Sequence, residues 1–269
     1  MSDTARPPMS MEEAQRLLAW YAEAGVDVAL AEEGQDRFAE SRRRAVPPPA
    51  ATPARPPAAS LADLARSAED TAGDARAAAA AAQTLDELRA ALERFDGLAL
   101  KKTATRLAFS SGNPQGRLML VGEAPGRDED RLGEPFVGAA GRLLDRMLKA
   151  IGLDRTQVYI ANIIPWRPPG NRTPTPQETQ ICLPFIRRQI ALADPDVLVF
   201  LGGTAAQTLT GAREGIRRLR GRWFDYDTGR RTVRALATLH PAYLLRSPSE
   251  KRYAWRDFLA LQEALDRKD

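Results

Sequence analysis

Four short runs of apolar residues in the C-terminal part of the chain are separated by segments with helical periodicity. The runs lie at 118–121, 158–163, 197–201 and 236–239, and leucine, methionine and isoleucine recur at helical spacing over 138–151. Continuous apolar runs of this length are typical of strands that are buried on both faces. The alternation of strands and helices therefore predicts a three-layer α/β/α sandwich with a central, mainly parallel four-stranded sheet.

Capping and turn residues place further elements around these strands. Thr84 with Glu87, and Thr175 with Glu178, put a polar N-cap residue three positions before a glutamate, which is the signature of a helix start. They predict helices at about 85–95 and 176–193. Runs at 223–226 and 232–236 flank a polar turn with a glycine and predict a β-hairpin beside the fourth strand.

Residues 1–84 are predicted to form an N-terminal arm ahead of a folded domain at 85–269. Proline and alanine dominate 42–60, which leaves too little bulky apolar surface to offset the entropy of ordering. The six alanines at 77–82 predict a helix without a face to bury. We therefore expect a mostly disordered arm. The alternative is a helix at 11–24 that docks on an unknown protein partner; its capping box and apolar positions are Ser10, Glu13, Leu17, Leu18, Tyr21 and Val26.

Composition and charge narrow the class of protein. The chain has 269 residues, 43% of them hydrophobic, and a formal net charge of +4, which matters only if it is localised. The single cysteine, Cys182, excludes an intramolecular disulfide and a metal site built from cysteines alone. No apolar run approaches the ~18 residues of a membrane span, and the N-terminus lacks the apolar core of a secretory signal. We expect a soluble, cytoplasmic protein with no membrane association.

Two polar loops follow predicted buried strands and are the first candidates for a functional site. Residues 122–130 follow the first strand, and residues 240–246 follow the fourth and begin with His240, the single histidine of the sequence. In open α/β sheets, ligands bind beyond the carboxyl ends of the strands. His240 is therefore a candidate for chemistry on its position alone.

Five segments in a fixed order resemble the uracil-DNA glycosylase superfamily, and family 4 most closely. They are the loop 122–130, the motif 135–138, Asn162 at a strand end, the proline-rich loop 167–172, and the segment 240–248. The resemblance implies a monofunctional DNA-repair hydrolase. Such an enzyme flips uracil out of single- or double-stranded DNA, hydrolyses its N-glycosidic bond and leaves an abasic site. It also implies a monomer that is nucleoid-associated when bound to DNA.

The resemblance assigns roles to the residues that would surround a flipped uracil. The Asn162 amide would pair with uracil O4 and N3–H, a pattern that cytosine reverses. The Phe136 ring would stack on the base. His240 would donate to uracil O2 as negative charge develops there, together with the backbone N–H groups of Glu123 and Ala124.

The attacking water has three candidate partners by the same resemblance. Family 1 enzymes carry an aspartate where Ala124 stands here, so that carboxylate is absent. Glu123 or Glu129 could position the water instead, and the sequence leaves the choice between them open. Asn171 is a further candidate for holding water or phosphate.

The predicted DNA contacts lie on the 240–246 loop and on arginine-rich segments. By resemblance, Leu244 would enter the gap left by the flipped base, with Leu245 beside it and Arg246 filling space or contacting phosphate. The alternative is that at least one of the two leucines is buried in the core and does not contact DNA. A dense set of arginines predicts a phosphate-binding surface: Arg167, Arg172, Arg213, Arg217, Arg218, Arg220 and Arg222.

One departure from the resemblance concerns a cofactor. Family 4 carries a [4Fe–4S] cluster on four cysteines, and the matching positions here are Phe95, Leu98, Trp166 and Cys182. One thiolate does not hold a cubane cluster. We therefore predict a chain without a cofactor, in which large apolar groups fill the volume of the cluster.

Two other functions remain open at this stage. The chain could be a DNA-binding relative with impaired catalysis, or a glycosylase that also accepts hypoxanthine or xanthine. A covalent trap for the abasic sugar is disfavoured, since relatives that form one use an additional histidine.

Overall fold

The computed structural model describes residues 10–23 and 61–267, with side chains described at 10–19 and from residue 69 onward. The chain divides into two compact units, Met1–Ala58 and Ala59–Asp269. In the first unit, helix α1 (Met11–Glu23) begins with the predicted capping box, because the Ser10 N–H donates to the Glu13 carboxylate at 2.9 Å. Leu18 on this helix is 68% exposed. The predicted linker at 42–60, Val26 and the Tyr21 side chain lie outside the described residues.

The second unit is built on one six-stranded sheet with the strand order β1-β3-β2-β4-β6-β5. The four inner strands run parallel, and the short β1 and the outer β5 pair antiparallel with their neighbours. The strands are β1 (Ser111–Gly112), β2 (Leu118–Gly122), β3 (Val158–Asn162), β4 (Val197–Leu201), β5 (Trp223–Asp227) and β6 (Thr232–Thr238). The predicted parallel core is confirmed. The predicted hairpin arm and fourth strand form a single strand, β6.

Helices cover both faces of the sheet, which confirms the three-layer α/β/α architecture. They are α2 (Leu61–Ala81), α3 (Leu85–Arg94), α4 (Leu100–Thr103), α5 (Arg127–Leu132), α6 (Ala139–Ala150), α7 (Pro176–Ala193), α8 (Gly203–Thr210), α9 (Ile216–Leu219), α10 (Pro241–Arg246) and α11 (Lys251–Asp266). Alternate residues of β2 enter opposite cores: Met119 packs with the layer of α2, α3, α7 and α8, and Leu120 with α6 and α11. This alternation follows from the period of two in a strand.

The boundary predicted at residue 84 is wrong, because α2 belongs to the folded unit. Its alanines Ala75 and Ala79 are 0% and 2% exposed and join the core that contains α7, and Ala82 just beyond the helix is also buried. An alanine stripe has no bulky side chains to reveal a buried face in the sequence. It nevertheless lets two helices approach closely, so the face that the sequence analysis missed is a packing face.

The described residues include no helix that is both long and apolar enough to cross a bilayer.

Candidate active site

The carboxyl ends of β2, β3 and β6 surround a cavity of about 410 Å³. Strand order brings these ends together, because β2 lies next to β3 and is separated from β6 only by β4. Most of the residues predicted for a uracil site line this cavity. They are Glu123, Ala124, Glu129, Phe136, Asn162, Asn171, Arg172, His240 and Arg246, and further lining residues include Ala140, Pro168 and Tyr243.

Asn162 presents a buried amide that has no protein partner at its oxygen. The residue ends β3, is 4% exposed and lines the cavity. Its Oδ1 is buried and accepts no hydrogen bond from the described residues. An unsatisfied buried acceptor costs about 1–3 kcal/mol. The cavity therefore holds an acceptor that a bound ligand with an N–H group can satisfy.

Gly122 is the residue that gives Asn162 and Phe136 room to approach each other. A Cβ atom at Gly122 would lie 2.4 Å from Asn162 Oδ1 and 2.6 Å from the Phe136 ring. Both distances are shorter than real Cβ contacts. The end of β2 thus tolerates no side chain, and the amide and the ring share one small volume at the floor of the cavity.

Phe136 is held in a backbone conformation that favours glycine. Its φ is 56°, in the left-handed region, and the residue is 4% exposed. Such a conformation persists only where the surroundings enforce it. Here α6 packs directly on the loop, since a Cβ at Gly141 would lie 1.6 Å from the Phe136 carbonyl oxygen. The ring lies 5.4 Å from the His240 ring, centroid to centroid, at an interplanar angle of 31°.

Arg155 fixes the strained loop, and the sequence analysis missed it. Its guanidinium donates to the carbonyl of Phe136 at 2.6 Å and to that of Pro135 at 3.3 Å. Asp145 on α6 holds the same guanidinium through two hydrogen bonds of 2.9 and 3.1 Å. Arg155 lies outside every segment of the resemblance and comes nineteen residues after Phe136, so no local signal in the sequence marks it.

His240 is a neutral imidazole with a defined tautomer. Its Nδ1 accepts a hydrogen bond from the Ala242 backbone N–H at 3.1 Å, so the ring proton is assigned to Nε2. Burial and, to a smaller extent, the positive charge of Arg246 together lower the pKa of His240 to about 4. The cavity therefore contains an uncharged N–H donor at neutral pH.

The two candidate carboxylates have different surroundings. Glu129 on α5 is 9% exposed, and its oxygens accept three backbone N–H groups, from Gly126, Val137 and Gly138, at 2.9–3.1 Å. It therefore ties the 122–130 loop to the loop that carries Phe136. The Glu123 side chain is partly exposed, lines the cavity and has no hydrogen-bond partner among the described residues. Of the two, Glu123 is the carboxylate that is free to hold a water.

The proline-rich loop brings Asn171 and Arg172 to the cavity, and Arg167 lies beside Asn171. Arg167 donates from Nε to Asn171 Oδ1 at 2.7 Å, and Asn171 has a φ of 56°. Arg172 forms two hydrogen bonds with Glu178, at 2.6 and 2.8 Å, and this ion pair lowers the pKa of Glu178. Both arginines are thus oriented by neighbours, although Arg172 also faces the cavity.

The structure corrects the assignment of the wedge residue. Leu244 is 1% exposed and packs with Leu143 and Leu239, whereas Leu245 is 38% exposed. Both lie on α10, and a single helical step of about 100° places one leucine in the core and the next outside. Leu244 cannot enter DNA from this position. Leu245 is the exposed apolar side chain, and Arg246 lines the cavity beside it.

The arginine-rich segment divides into one structural residue and several exposed ones. Arg220 pairs with Asp257, which is 2% exposed, and also donates to the Tyr253 carbonyl at 3.1 Å. Arg220 therefore stabilises the position of α11, and its prediction as a DNA-contact residue is wrong. Arg218 is exposed and has no ion pair with the described residues. The exposed members with a carboxylate partner are Arg217 with Glu250 and Arg222 with Glu214, and Arg213 is exposed as well.

The four positions matched to cluster ligands belong to one apolar core. Leu98, Trp166 and Cys182 are buried, and the partly buried Phe95 packs edge-on against Phe185 at 5.4 Å between ring centroids. Burial raises the pKa of the Cys182 thiol, which disfavours the thiolate that binds metal. One thiol beside a phenyl ring, an aliphatic side chain and an indole does not fit a [4Fe–4S] cluster. Within residues 10–23 and 61–267, no group of three or more His, Cys, Asp or Glu could hold a metal ion.

Comparisons with known proteins show the family of the chain. The sequence model of the uracil DNA glycosylase superfamily matches residues 109–260. A Type-4 uracil-DNA glycosylase from Archaeoglobus fulgidus is 41% identical over 173 residues, which are 63% of this chain and 87% of the relative. The Type-4 uracil-DNA glycosylase from Thermotoga maritima is 43% identical over 148 residues, 55% of this chain and 76% of the relative.

These relatives contradict the prediction of a chain without a cofactor. They carry the Type-4 name, and the resemblance to that type implies an iron–sulfur cluster. Phe95, Leu98 and Trp166 have no side-chain atom that ligates iron. The Type-4 relatives nevertheless contradict the prediction.

Proposed function

The chain belongs to the uracil-DNA glycosylase superfamily, and we propose that its cavity binds a uracil flipped out of DNA and releases it by hydrolysis of the N-glycosidic bond. The observation that carries the proposal is the unsatisfied Asn162 Oδ1 at the floor of the cavity. Uracil N3–H is a donor of the type that this oxygen requires, and the Asn162 amide N–H can donate to O4. The chain is thus a DNA-repair hydrolase that acts on N-glycosyl bonds.

Base selection follows from the same residue. Cytosine presents an acceptor at N3 and a donor at N4, so it would leave Asn162 Oδ1 facing a lone pair. A site built around a hydrogen bond rejects a base that lacks it by roughly 10⁴-fold. Phe136 supplies a ring on which the flipped base can stack, and its fixed loop keeps that ring in place without the base.

The leaving group is stabilised by a neutral donor. As the C1′–N1 bond breaks, its electrons pass to the uracil ring and negative charge develops on O2. His240 Nε2–H and the backbone N–H groups of Glu123 and Ala124 would donate to this oxygen, which is the preorganised stabilisation of an oxyanion hole. A neutral imidazole suits this role because its proton stays on the enzyme.

Glu123 would orient the water that attacks C1′ as the sugar becomes positively charged. The new C1′–O bond replaces the C1′–N1 bond, and the proton that the water loses would pass to the carboxylate and finally neutralise the uracil anion. The Glu123 carboxylate is on the cavity wall and has no hydrogen-bond partner in the described part of the chain, whereas the Glu129 oxygens accept three backbone N–H groups. Asn171 and Arg172, which line the same cavity, would contact the flanking phosphate. Leu245, with Arg246, would fill the gap left in the duplex.

We propose that the protein acts as a monomer, because every side chain that is assigned to the uracil comes from the same chain. Light scattering of the purified protein at micromolar concentration tests this point, and a dimer that gains activity with concentration would contradict it.

An oligonucleotide panel tests the function. Uracil, cytosine, thymine, hypoxanthine and xanthine are placed at one position in single- and double-stranded DNA, and abasic sites are counted after alkaline cleavage. We expect release of uracil and none of cytosine or thymine. Release from none of the substrates at enzyme excess would contradict the proposal and favour a DNA-binding protein without catalysis. Release of hypoxanthine or xanthine as well would mark a broader glycosylase.

A further inference from the structure

A second cavity, of about 640 Å³, lies at the edge of the sheet that is formed by β5. Strand β5, the hairpin turn after it, and helices α2 and α7 line this cavity. We call it the arginine cavity, because Arg76, Arg187, Arg188 and Arg230 all line it. None of its residues lines the uracil cavity.

The arginine cavity is at the opposite end of the sheet from the chemistry. The hairpin turn that includes Arg230 precedes β6, whereas His240 follows the end of the same strand. At ~3.3 Å per residue, the seven residues of Thr232–Thr238 separate the two ends by roughly 20 Å. The cavity therefore does not contribute to uracil binding.

The four arginines lack carboxylate partners. Within the described part of the chain, no Asp or Glu oxygen comes within ion-pair distance of them. Arg188 donates from Nε to the Ala82 carbonyl at 2.8 Å, and Arg230 donates to the Ala191 carbonyl at 3.3 Å. These bonds occupy few of the five N–H donors of each guanidinium. Arg187 also donates a hydrogen bond to the Tyr226 hydroxyl. The remaining N–H donors of the four guanidinium groups are available to a ligand.

Two aspartates also line the cavity but face away from the arginines. Phe224 and Tyr226 of β5 pack into the core on the side of α2 and α7, whereas Trp223 packs into the core on the opposite side. Because side chains alternate along a strand, Asp225 and Asp227 share the face of Trp223. Neither aspartate forms an ion pair with the four arginines among the described residues, although the Asp227 charge reaches Tyr226, a neighbour of Arg187. Four guanidinium groups against two carboxylates leave the cavity with a net positive charge.

The cavity has a strand edge and apolar side chains that can bind an extended polypeptide. β5 is the last strand in the sheet order, so its outer edge is without a strand partner among the described residues. Such an edge offers backbone N–H and C=O groups to an added strand. Apolar side chains, among them Ala79, Pro184 and Leu209, form part of the lining next to the arginines.

We propose that the arginine cavity binds an acidic segment of a partner protein, which adds as an extended strand to β5 and pairs its carboxylates with Arg76, Arg187, Arg188 and Arg230. Bidentate arginine–carboxylate pairing supplies orientation as well as affinity. A DNA strand also carries anions, but it has no backbone groups that pair with a strand edge. The observations therefore favour a peptide over DNA.

Fluorescence anisotropy with the full-length chain tests the proposal. The probe is a short fluorescein-labelled peptide. Its odd positions are aspartate or phenylalanine, and its even positions are threonine. The double variant Arg187→Glu/Arg230→Glu should bind it at least about tenfold more weakly, because two charge-assisted contacts are replaced by repulsion. The exposed Arg146, on the distant helix α6, provides the matched control Arg146→Glu, which should bind as the unaltered protein does. Both variants should retain uracil release, which keeps this test separate from that of the enzyme function.

Four results would overturn the proposal. One is no binding by the unaltered protein at a peptide concentration of about 1 mM. A second is equal binding of a peptide in which asparagine replaces aspartate. A third is equal loss in the Arg146→Glu control. The fourth is a double variant that loses affinity for a thymidine oligonucleotide and keeps its affinity for the peptide, which would assign the cavity to nucleic acid.

Discussion

The uracil cavity and the loops that frame it differ in how their polar atoms are satisfied. In the frame, Glu129 accepts three backbone N–H groups, and the Arg155 guanidinium is bound to two carbonyls and to Asp145. In the cavity, Asn162 Oδ1 and the Glu123 carboxylate have no partner among the described residues. Unsatisfied buried polar groups are costly. The contrast therefore separates residues that stabilise the loops from residues whose polar atoms are available to a substrate.

The sharpest test of this contrast compares the two glutamates. Glu123→Gln should lower kcat for uracil release by about 10²-fold, because a neutral amide orients the water less well, and should leave the urea midpoint unchanged. Glu129→Gln should instead lower the free energy of unfolding by about 1–3 kcal/mol, because one amide oxygen replaces two carboxylate oxygens. The reverse pattern, with Glu129→Gln fully stable and catalytically dead, would break the comparison.

The pH dependence of catalysis tests the neutral histidine. With a His240 pKa of about 4, the neutral form persists as the pH falls, and kcat should be nearly equal at pH 5 and pH 7. An unperturbed pKa near 6.5 would reduce kcat roughly 30-fold at pH 5. The unfolded chain binds this proton at higher pH than the folded chain, so stability should fall as the pH is lowered from about 6.5 to 4. A titration of the ring proton by NMR above pH 6 would contradict the assignment.

Arg155 tests whether the strained Phe136 loop is part of catalysis. Arg155→Lys keeps the charge but loses the forked contact with the Phe136 and Pro135 carbonyls, so we expect kcat/KM to fall by about tenfold. The loss should appear mainly in KM on single-stranded substrate, where stacking on Phe136 holds the base. Arg142, an exposed arginine on α6, gives the control Arg142→Lys, which should be silent. Equal effects of the two variants would remove Arg155 from the site.

The smallest expected effect separates the two leucines of α10. Leu245→Ala should lower uracil release from duplex DNA several-fold, leave single-stranded DNA unaffected and keep the stability of the protein, since the side chain is exposed. Leu244→Ala should cost about 2–5 kcal/mol of stability, because it empties a buried position. A stable Leu244→Ala variant that is defective on duplex DNA alone would restore the wedge to Leu244.

The sequence predicted the residues that line the cavity better than the residues that support them. Asn162, Phe136 and His240 end strands or lie in marked loops, and the structure brings them to one cavity as expected. Leu244 was chosen wrongly because both leucines follow His240 and only the phase of α10 decides which one is buried. Arg155 was missed because its contact with Phe136 exists only in the folded chain.

The N-terminal boundary of the folded domain was predicted wrongly for a different reason. A buried face built from alanines, such as Ala75 and Ala79 on α2, has a weak amphipathic pattern, and its burial depends on the neighbouring α7. The prediction about the cofactor also failed, although it concerned positions that are matched to cluster ligands. Loss of cysteines in one sequence led to the prediction of a cofactor-free protein, and the Type-4 relatives contradict that prediction.

The central claim is that the unsatisfied Asn162 Oδ1 selects uracil, and the variant Asn162→Asp tests it most directly. Single-turnover release of uracil and of cytosine is measured from otherwise identical oligonucleotides, with the urea midpoint as a check on folding. A carboxyl group can present a donor to cytosine N3 and an acceptor to its amino group. The account predicts that the preference for uracil is relaxed or abolished. A folded variant with unchanged discrimination against cytosine would contradict it.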